Sequence, residues 1–595
     1  MHFPAKRWIR RPGPERDGAS VGGASTRAGL IDRLLAVRGI DGDAARKAFL
    51  APTLRDLQPP DGLFGAVDAA AAVCEAVRAR RRIAIYGDYD VDGVMATAIL
   101  WHMLRAIAPD LEVRTYVPHR IEEGYGLNCD ALRALRADGI DFVVTVDCGV
   151  CAVEEARLAR ELGIELVITD HHELKASGGT PVARAVVHPR LGTSHRFGDL
   201  CGAGVAWKLA WRIAEEWCGS ERLPQVLRER LIALLPLAAM GTVADVVPLV
   251  GENRVIVARG LLEIERTGIP GVDALLASAR IEPGRCDSET VAFRLAPRIN
   301  ACGRMGHAEL AVELLTTAGR ARADRIAEET DALNRRRQAA ELAIFKEASA
   351  RLGAHAGGAK PRGIVLAAED WNLGIVGIVC AKLVELHACP AILLTRNREV
   401  FKGSGRSVPG IELHRVLAEC SEHLVGFGGH AMAAGLTIDG ARIEAFAEAF
   451  GRACDRLLPP PDDQRVPLEI DDACRLDELD LASVGEIDRL GPFGRENRRP
   501  SLLVEDVEVR QVRPFGPTGE HLELLVRQPS GRSTSSCRLK WWRSGSHLGL
   551  LAPGSRIDVV VEPSISHFRG VAEVAARLVD LRIRIDAPVE PALAR

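Results

Sequence analysis

The sequence lacks any long uninterrupted apolar segment. The apolar stretch at residues 231–240 is far shorter than the roughly 20 residues that a membrane-spanning helix needs. The first eight residues contain no apolar run of the kind that follows the charged start of a secretory signal peptide. We therefore expect a cytoplasmic protein that does not span a membrane.

Concentrated cysteine and an excess of one charge are also missing. The 14 cysteines are scattered over 595 residues, whereas disulfide-stabilised secreted domains concentrate their cysteines in a short chain. The formal net charge is only −3 at pH 7. Overall charge therefore gives no indication of a nucleic-acid partner, although local basic surface can still bind phosphate.

The composition is that of a multidomain globular protein. Hydrophobic residues make up 47% and charged residues 26% of the chain, which is ordinary for soluble domains. At roughly 100–200 residues per domain, the length predicts several domains. Residues 1–78 are rich in Arg, Ala, Gly and Pro, and we expect an N-terminal extension followed by a helical segment. The part through Thr26 is expected to be loosely packed or disordered.

Short apolar strands alternate with helical segments over residues 79–308. Strands are predicted at residues 82–88, 142–147 and 165–170, with a further one at 185–188. Continuous apolar strands separated by helices are typical of a parallel sheet that is covered on both faces. We therefore predict an α/β domain in this part of the chain.

The rest of the chain is predicted to form three further elements. Residues 309–358 are polar, with apolar residues at near-helical spacing, and predict a long connecting helix. A second α/β domain is expected at residues 359–457, followed by a proline-rich linker at 458–463. Residues 464–586 are predicted to form a small β-barrel, because alternating β-type runs occur at residues 501–509, 521–526, 556–561 and 571–583. The predicted fold class is thus α/β, with two α/β domains, a long helix and a C-terminal barrel.

Acidic residues stand at the predicted carboxyl ends of three separate strands. These residues are Asp88, Asp147 and Asp170, and Asp90 and Asp92 follow the first of them in a tight loop. In a parallel sheet the carboxyl ends lie along one edge, where ligand sites of α/β proteins form. Side chains distant in sequence are therefore expected to converge there.

Further candidate ligands accompany these carboxylates. His171 and His172 follow Asp170 directly, and Asp245 lies in an apolar surround where a lone carboxylate would be costly. Clustered carboxylates raise one another's pKa values, and divalent cations relieve that repulsion. Mixed oxygen and imidazole ligands suit Mn²⁺ or Mg²⁺ better than zinc. Two such ions would activate a water and stabilise the leaving oxygen of a phosphoester, which predicts a metal-dependent phosphoesterase.

Each of these segments has another interpretation when taken alone. The pattern at residues 88–93 resembles a calcium loop, but the expected later glutamate is missing and the flanking strand and helix disfavour an EF-hand. Residues 170–172 alone equally fit a turn with surface histidines. Residues 148–151 fit Cys-x-x-Cys, but no second pair stands at zinc spacing. The metal interpretation therefore depends on all the segments together.

The sequence resembles the DHH phosphoesterase superfamily over nearly the whole chain after about residue 70. Four motifs carry the resemblance: YGDYDVDG at 86–93, TVDCG at 145–149, TDHH at 169–172 and GTVAD at 241–245. Four more make it similar to the bacterial branch that is specific for single-stranded DNA: PRINACGRM at 297–305, GSGRS at 403–407, FGGHAMAAG at 427–435 and GPFG at 491–494.

The resemblance implies an architecture and an activity. It implies a DHH domain, a connecting helix, a DHHA1 domain and a C-terminal OB-fold. The implied activity is degradation of single-stranded DNA from the 5′ end to nucleoside monophosphates, with two Mn²⁺ or Mg²⁺ ions. The implied setting is DNA recombination and repair beside a helicase and a single-strand-binding protein. A monomer is expected.

Two other functions remain open at this point. The first is a DHH phosphodiesterase that acts on short oligonucleotides or cyclic dinucleotides, although such small substrates do not need a C-terminal β domain. The second is an inactive binding or scaffold protein, although loss of metal ligands would then be expected and none is lost.

Roles can be assigned to the residues of the predicted centre. Asp147 is the candidate bridge between both ions, with Asp88 and Asp90 on one ion and Asp92, His171 and Asp245 on the other. The expected catalytic residues are Asp147, His171 and His172. Asp170 is expected to orient the ligands. His172 could contact the substrate phosphate, or it could simply cap the start of a helix.

The resemblance also indicates residues that bind the 5′ end. They are Arg120, Arg304, Ser404, Arg406 and His430. An arginine fork matches a phosphate bidentately, and glycines on both sides of Ser404 let the backbone approach it closely.

Two further positions bear on how the chain handles DNA. Relatives often have His where this chain has Asn372, and Asn cannot serve as a general acid. Residues 538–543 interleave cations with two tryptophans, which suits stacking of single-stranded bases but equally fits a barrel core.

Overall fold

The computed structural model describes residues 6–11, 29–120, 122–174, 179–355, 361–458, 467–528, 535–568 and 571–584. The chain forms two compact units. The larger consists of Thr53–Gln464 and Gly494–Glu496, and the smaller of Met1–Pro52, Arg465–Phe493 and Asn497–Arg595. Within the described part of the chain, no helix is both long enough and apolar enough to cross a membrane.

A five-stranded parallel sheet forms the first part of the larger unit. From one edge to the other, its strands are Val113–Tyr116, Ile83–Tyr86, Phe142–Thr145, Glu165–Thr169 and Ala185–Val187. The strand Ile83–Tyr86 lies between Val113–Tyr116 on one side and Phe142–Thr145 on the other, which are the next two strands in sequence. This reversal of strand order is a switch point, which opens a crevice at the carboxyl ends of the strands.

The sheet is covered on both faces. Ile83 and Ile85 pack into one core, whereas Ala84 and Tyr86 pack into a separate one on the opposite face. The helices around the first core include Ala66–Arg78, Val91–Ile107, Gly202–Cys218, Gln225–Ala244, Gly251–Leu262, Pro270–Ser278, Ala296–Met305 and Glu309–Leu315. Those around the second core are Cys129–Ala137 and Val153–Glu161. A single turn at Ser288–Thr290 and a π-helix at Val291–Leu295 precede helix Ala296–Met305. Short 3₁₀ turns lie at Leu54–Asp56, Pro60–Gly62 and Ile264–Arg266.

A long helix, Arg320–His355, follows this domain. The stretch predicted as one helix from residue 309 is divided, because Thr316 leaves helical geometry after Glu309–Leu315. The Arg322 guanidinium donates to both carboxylate oxygens of Glu313 at 2.7 Å across the break. This fork stabilises the corner between the two helices.

The second α/β domain of the larger unit has a mixed five-stranded sheet. Its first two strands are parallel and the other neighbours are antiparallel. In spatial order the strands are Leu424–Gly429, Ala433–Ile438, Val400–Arg406, Ala391–Asn397 and Ile364–Ala368. Helices Leu373–His387, Leu413–Glu419 and Ile443–Leu457 accompany the sheet, with 3₁₀ turns at Ser421–His423 and Gly440–Arg442.

The smaller unit contains a closed β-barrel. Its first strand, Leu502–Phe515, pairs with one neighbour and also with Arg556–Phe568, which closes the cylinder. Register shifts after Val509 and Val504 bend this strand so that it can serve both neighbours. The other barrel strands are His521–Arg527, Ser536–Trp541 and Val571–Ile583, and a short strand, Asp472–Ala473, extends the sheet. Helices Leu30–Val37, Asp43–Leu50 and Leu481–Asp488 and 3₁₀ turns Leu476–Glu478 and Gly545–Leu550 complete the unit.

Strand Ser536–Trp541 was not among the predicted strands. Its residues alternate between exposed and buried positions, which separates the two tryptophans. Trp541 is buried in the barrel core, whereas Trp542 is 51% exposed.

The N-terminal segment does not form one region. Strand Arg7–Arg10 pairs in parallel with Pro467–Ile470 in the smaller unit, which also contains helix Leu30–Val37. Residues from Thr53 onward belong to the larger unit. Most of the stretch through Thr26 that was predicted to be disordered, and residues 459–463 of the predicted linker, lie outside the described residues.

Candidate metal centre

Asp88, Asp90 and Asp92 occupy the turn between strand Ile83–Tyr86 and helix Val91–Ile107. Asp90 caps this helix, because its Oδ1 accepts a hydrogen bond of 3.1 Å from the Gly93 N–H. A Cβ at Gly93 would lie 2.6 Å from the Asp88 Cβ. Only glycine therefore allows the turn to close this tightly around the buried Asp88 carboxylate.

Asp147 is held in a strained conformation after strand Phe142–Thr145. Its φ of 61° lies in the left-handed region, which costs a non-glycine residue on the order of 1–3 kcal/mol. Gly202 packs against its carboxylate, since a Cβ there would lie 2.5 Å from Asp147 Oδ1. The fold thus pins this side chain at the switch point of the sheet.

The Asp92 carboxylate lies at the start of helix Gly202–Cys218. The Gly202 N–H donates to Asp92 Oδ2 at 2.6 Å, and the Ala203 N–H donates to Oδ1 at 2.8 Å. Free N–H groups and the helix dipole stabilise a carboxylate at this position. The sequence did not predict these two hydrogen bonds to Asp92. The glycines at positions 202 and 204 were the feature of the sequence that could have indicated them.

His171 lies where the carboxylates meet. Its Nε2 is 3.1 Å from Asp147 Oδ1 and 3.7 Å from both Asp92 Oδ2 and Asp245 Oδ2. Three groups have ligand atoms that all lie within 4.8 Å of one another: Asp88–Asp90–Asp147, Asp92–His171–Asp245 and Asp147–His171–His172. The structure therefore brings together every residue that the sequence suggested as a metal ligand.

The donor atoms of this centre fit divalent cations. Asp88 Oδ1, Asp147 Oδ1 and His171 Nε2 are buried and make no hydrogen bond among the described residues, although the last two atoms are 3.1 Å apart. Buried polar atoms are normally paired, and leaving one unpaired costs about 1–3 kcal/mol. Unpaired carboxylate and imidazole atoms that converge in this way suit Mn²⁺ or Mg²⁺.

The electrostatics of the centre also indicate that it binds cations. Burial and the neighbouring Asp90 hold the pKa of Asp88 well above its ordinary value, and burial with Asp92 does the same for Asp147. Burial and Asp92 raise the pKa of Asp245 to about 8. Burial also lowers the pKa of His171 to about 4, so that its imidazole is neutral and able to bind a cation.

Asp170 orients its neighbours. It accepts hydrogen bonds from the N–H groups of Val150, His171 and His172 at 2.9, 2.7 and 3.1 Å. Its Oδ1 also lies 2.7 Å from His172 Nδ1. Although burial disfavours both charges, this hydrogen bond lowers the pKa of Asp170 to about 2 and raises that of His172 to about 9.

Tyr125 is a residue of the site that sequence reasoning missed. Its hydroxyl lies 2.9 Å from His172 Nδ1 and donates to the Asp147 carbonyl oxygen at 3.2 Å. The available signal was its place five residues after Arg120 in the glycine-containing segment 119–126. Tyr125 therefore ties His172 to the backbone of Asp147.

Arg304 forms a positively charged cluster with Arg120 and Arg406 within the same unit. Burial, followed by the charges of Arg120, Arg337 and Arg406, lowers the pKa of Arg304 to about 10. The Arg120 guanidinium lies over the Tyr89 ring at 4.6 Å. Like charges held close together in this way form an anion-binding surface.

Ser404 and Asn372 organise this cluster. Arg406 Nη1 donates to Ser404 Oγ at 2.9 Å. Asn372 Oδ1 accepts from the Gly374 N–H at 2.8 Å and so caps helix Leu373–His387, while the Gly374 carbonyl accepts from Arg304 Nη1 at 2.9 Å. Asn372 thus has a structural role beside Arg304.

His430 lies apart from these contacts. Its side chain is 75% exposed, and its Nδ1 is 3.9 Å from Glu173 Oε2. Among the described residues, no hydrogen bond or ion pair joins it to Arg120, Arg304 or Arg406.

Comparisons with known proteins agree with this geometry. Three family profiles match: the DHH family N-terminal domain at residues 82–241, the DHHA1 domain at 360–455 and the RecJ OB domain at 470–580. The single-stranded-DNA-specific exonuclease RecJ of Bacillus subtilis is 37% identical over 91% of this chain, which spans 66% of that protein. RecJ of Thermus thermophilus is 34% identical over 89% of this chain, which spans 73% of that protein.

Solved structures show the same likeness. The structure of Thermus thermophilus RecJ with Mn²⁺ has a TM-score of 0.76 and 29% identity, covering 98% of this chain and 80% of that one. The same protein with Mg²⁺ has a TM-score of 0.71 and 28% identity, covering 98% and 79%. A manganese-bound exonuclease RecJ has a TM-score of 0.58 and 35% identity, covering 67% of this chain and 96% of that one.

Fold and centre together define a cation-dependent phosphoesterase with DHH and DHHA1 domains. The chain belongs to the RecJ family of single-stranded-DNA-specific exonucleases. The predicted family, the α/β fold class with a C-terminal OB barrel, and the predicted Mn²⁺ or Mg²⁺ cofactor are confirmed.

Proposed function

We propose that this chain is a two-cation exonuclease that shortens single-stranded DNA from its 5′ end and releases nucleoside 5′-monophosphates. The observation that carries the proposal is the proximity of an anion-binding cluster to a centre built for cations. The positive charge of Arg120 stabilises the ionised form of Asp88. The negative charge of Asp90 stabilises the protonated form of Arg304. A terminal phosphate at the cluster would thus hold the adjoining phosphodiester near the carboxylates.

Six residues would hold the two cations. Asp88 and Asp90 would hold one ion and Asp92, His171 and Asp245 the other, with Asp147 shared between them. Bound there, the cations would supply an activated water and charge stabilisation on the leaving oxygen. Because Asp92 is fixed by two backbone amides and Asp147 by Gly202, these ligands are already in place before substrate binds.

His172 is proposed to contact the scissile phosphate. Its Nδ1 is directed at Asp170, which leaves Nε2 as the ring atom that can donate to a substrate oxygen. The carboxylate of Asp170 favours the charged imidazolium, and a charged donor stabilises an anionic phosphoryl group more strongly than a neutral one. Tyr125 holds the ring in this orientation.

Recognition of the 5′ end is assigned to the arginine cluster. The guanidinium groups of Arg304 and Arg406, with the Ser404 hydroxyl, offer donors that match a terminal phosphate. Arg120 would add a further charge, and exposed His430 is proposed to contact the strand nearby. A requirement for a terminal phosphate makes the enzyme an exonuclease, because an internal phosphodiester lacks the second charge.

The barrel offers a stacking surface for bases. Exposed Trp542 packs edge-on against Phe515 and His521, with ring centroids 5.3 and 4.6 Å apart. Stacking on such aromatic rings contributes about 1–3 kcal/mol per base, whatever the base. This surface supports long single strands as the substrate, in preference to dinucleotides.

The proposed setting is DNA recombination and repair in the cytoplasm, where a monomer acts beside a helicase and a single-strand-binding protein. The relatives' names support the DNA substrate. Sedimentation of the full chain, alone and with each purified partner, measures the monomer and the proposed contacts.

The deciding experiment uses 5′-labelled and 3′-labelled substrates with Mn²⁺. Single strands should be shortened from the 5′ end, with mononucleotides as the first products, while duplexes are resistant. Faster cleavage of dinucleotides than of long strands would instead favour an oligonucleotide phosphodiesterase.

Asp147→Asn should abolish activity without unfolding the protein, since Asn tolerates the left-handed region well. Asp130→Asn, on an exposed surface of the same domain, is the matched control.

A further inference from the structure

A short segment of the chain lies on the turn that carries Asp245. Gly494–Glu496 belong to the same compact unit as the metal centre, although their neighbours in sequence belong to the smaller unit. The Leu249 N–H donates to the Arg495 carbonyl oxygen at 2.9 Å. Gly494 approaches Leu249 so closely that a Cβ there would lie 2.6 Å from Leu249 Cδ1. The segment is therefore held in place by its backbone, which leaves the Arg495 side chain available.

The guanidinium of Arg495 lies beside the turn that carries Asp245. Its Nη1 donates to the Val246 carbonyl oxygen at 3.5 Å, which is the long limit of a hydrogen bond. Val246 follows Asp245 directly, is 60% exposed and has a φ of 59°, which is unusual for a β-branched residue. The turn thus directs its carbonyl toward Arg495, but this weak contact occupies only one of five N–H donors.

Within the described part of the chain, no acidic side chain neutralises Arg495 by direct contact. Among the described residues it makes no ion pair within 4.0 Å, and its side chain is exposed. Its charge nevertheless lies close enough to Asp245 to stabilise the ionised carboxylate. Most exposed arginines are simply solvated. This one differs because its backbone is anchored and its charge acts on Asp245, a candidate ligand of the metal centre.

The positive groups around the centre stand beside different triads. Arg120 acts on Asp88, in the Asp88–Asp90–Asp147 triad, whereas Arg495 acts on Asp245, in the Asp92–His171–Asp245 triad. The proposed function places the terminal phosphate at the arginine cluster that includes Arg120, and the scissile phosphate near the carboxylates. A strand that continues beyond the scissile bond then passes Asp245 and its neighbour Arg495.

We propose that Arg495 binds the phosphodiester on the 3′ side of the scissile bond. This inference rests on the proposed 5′-end exonuclease activity and extends it to a second phosphate of the strand. The contact exists only for substrates with at least two phosphodiesters. A 5′-phosphorylated dinucleotide offers none beyond the bond that is cleaved, whereas a trinucleotide offers one.

The test compares 5′-phosphorylated dinucleotide, trinucleotide and 20-nucleotide single strands with Mn²⁺ and the full chain. Arg495→Gln should lower kcat/KM about tenfold on the two longer substrates, mainly through KM, as expected for loss of a charge-assisted hydrogen bond. Its rate on the dinucleotide should be unchanged, and Arg495→Lys should restore part of the loss. The slope of log KM against log salt on the long strand should fall by about 0.7, the amount expected for one phosphate contact.

Arg498→Gln is the matched control, since Arg498 is an exposed arginine nearby in sequence whose charge acts on Glu469. It should behave like the wild type on all three substrates. Equal losses on dinucleotide and trinucleotide would show that Arg495 instead holds the turn of Asp245, and would overturn the inference. Wild-type rates for Arg495→Gln on long strands would overturn it as well. If the wild type itself fails to act at 5′ ends, the proposed function has failed, which is a distinct result.

Discussion

Asp147 and Gly202 approach one another so closely that a Cβ on residue 202 would lie 2.5 Å from Asp147 Oδ1. Gly202 also donates its N–H to Asp92 Oδ2 at 2.6 Å. A single glycine therefore sets the positions of two carboxylates, one of which is the proposed shared ligand of both cations. The centre therefore requires a residue without a side chain at position 202.

Gly202→Ala should therefore disable the centre. The added methyl must displace Asp147, and a displacement of about 1 Å at a reacting centre lowers rates by about 100-fold. Isothermal titration with Mn²⁺ and steady-state rates on single-stranded DNA measure the effect. Gly204→Ala is the matched control, because a Cβ there lies 3.4 Å from Leu200 Cδ2, in ordinary contact. Equal behaviour of the two variants would contradict this account of Gly202.

Asp170→Asn should shift the pH dependence of activity. In the wild type the hydrogen bond to Asp170 outweighs burial and keeps the pKa of His172 at about 9, so the imidazolium persists below that pH. Without the carboxylate that pKa falls, and the variant should lose activity at a lower pH than the wild type. NMR titration of His172 and pH–rate profiles test this, with Asp130→Asn as the control. Identical profiles would show that the His172 charge is not used.

Removal of cations should make stability fall as pH rises. Asp245, with a folded pKa of about 8 against 3.8 ordinarily, contributes stability that is fully present below pH about 4 and is lost as pH rises through about 8. The Tm of the protein in EDTA should therefore be lower at pH 8 than at pH 5. Added Mn²⁺ should raise Tm more at pH 8, where the carboxylate of Asp245 is ionised more often than at pH 5, by the equivalent of about 2.7 kcal/mol at 100 times its Kd.

The variant Asp245→Asn tests whether Asp245 itself causes this pH dependence of Tm. The variant has no carboxylate to ionise at this position, so its Tm in EDTA should depend less on pH than that of the wild type. A Tm in EDTA that rises from pH 5 to pH 8 in the wild type would contradict the raised pKa values.

Arg406→Gln should weaken discrimination in favour of 5′-phosphorylated strands. Loss of the guanidinium removes its donors to a terminal phosphate, and KM for phosphorylated strands should rise about 10- to 100-fold. Strands with a 5′-hydroxyl should be affected less. The control is Arg396→Gln, on the neighbouring strand, where the guanidinium pairs with Glu369. A similar loss on both kinds of strand would remove Arg406 from 5′-end recognition.

The sequence by itself determined the chemistry of the centre. Asp88, Asp147 and Asp170 stand at strand ends, and local apolar patterning was enough to place those ends on one edge of a parallel sheet. The other candidate ligands, including His171 and Asp245, were identifiable because their types and motif order are properties of the chain alone. Four of the five barrel strands were predicted for the same reason, since alternation is a local signal.

Only the tertiary structure decided which groups hold these residues in place. The amides of Gly202 and Ala203 on Asp92, and the Tyr125 hydroxyl beside His172, join segments that are far apart in sequence. The pairing of strand Arg7–Arg10 with Pro467–Ile470 is another contact of this kind. Such contacts depend on how elements pack in space, which hydrophobic periodicity does not encode. Local pattern thus identified the reactive side chains, and packing between distant segments determined their geometry.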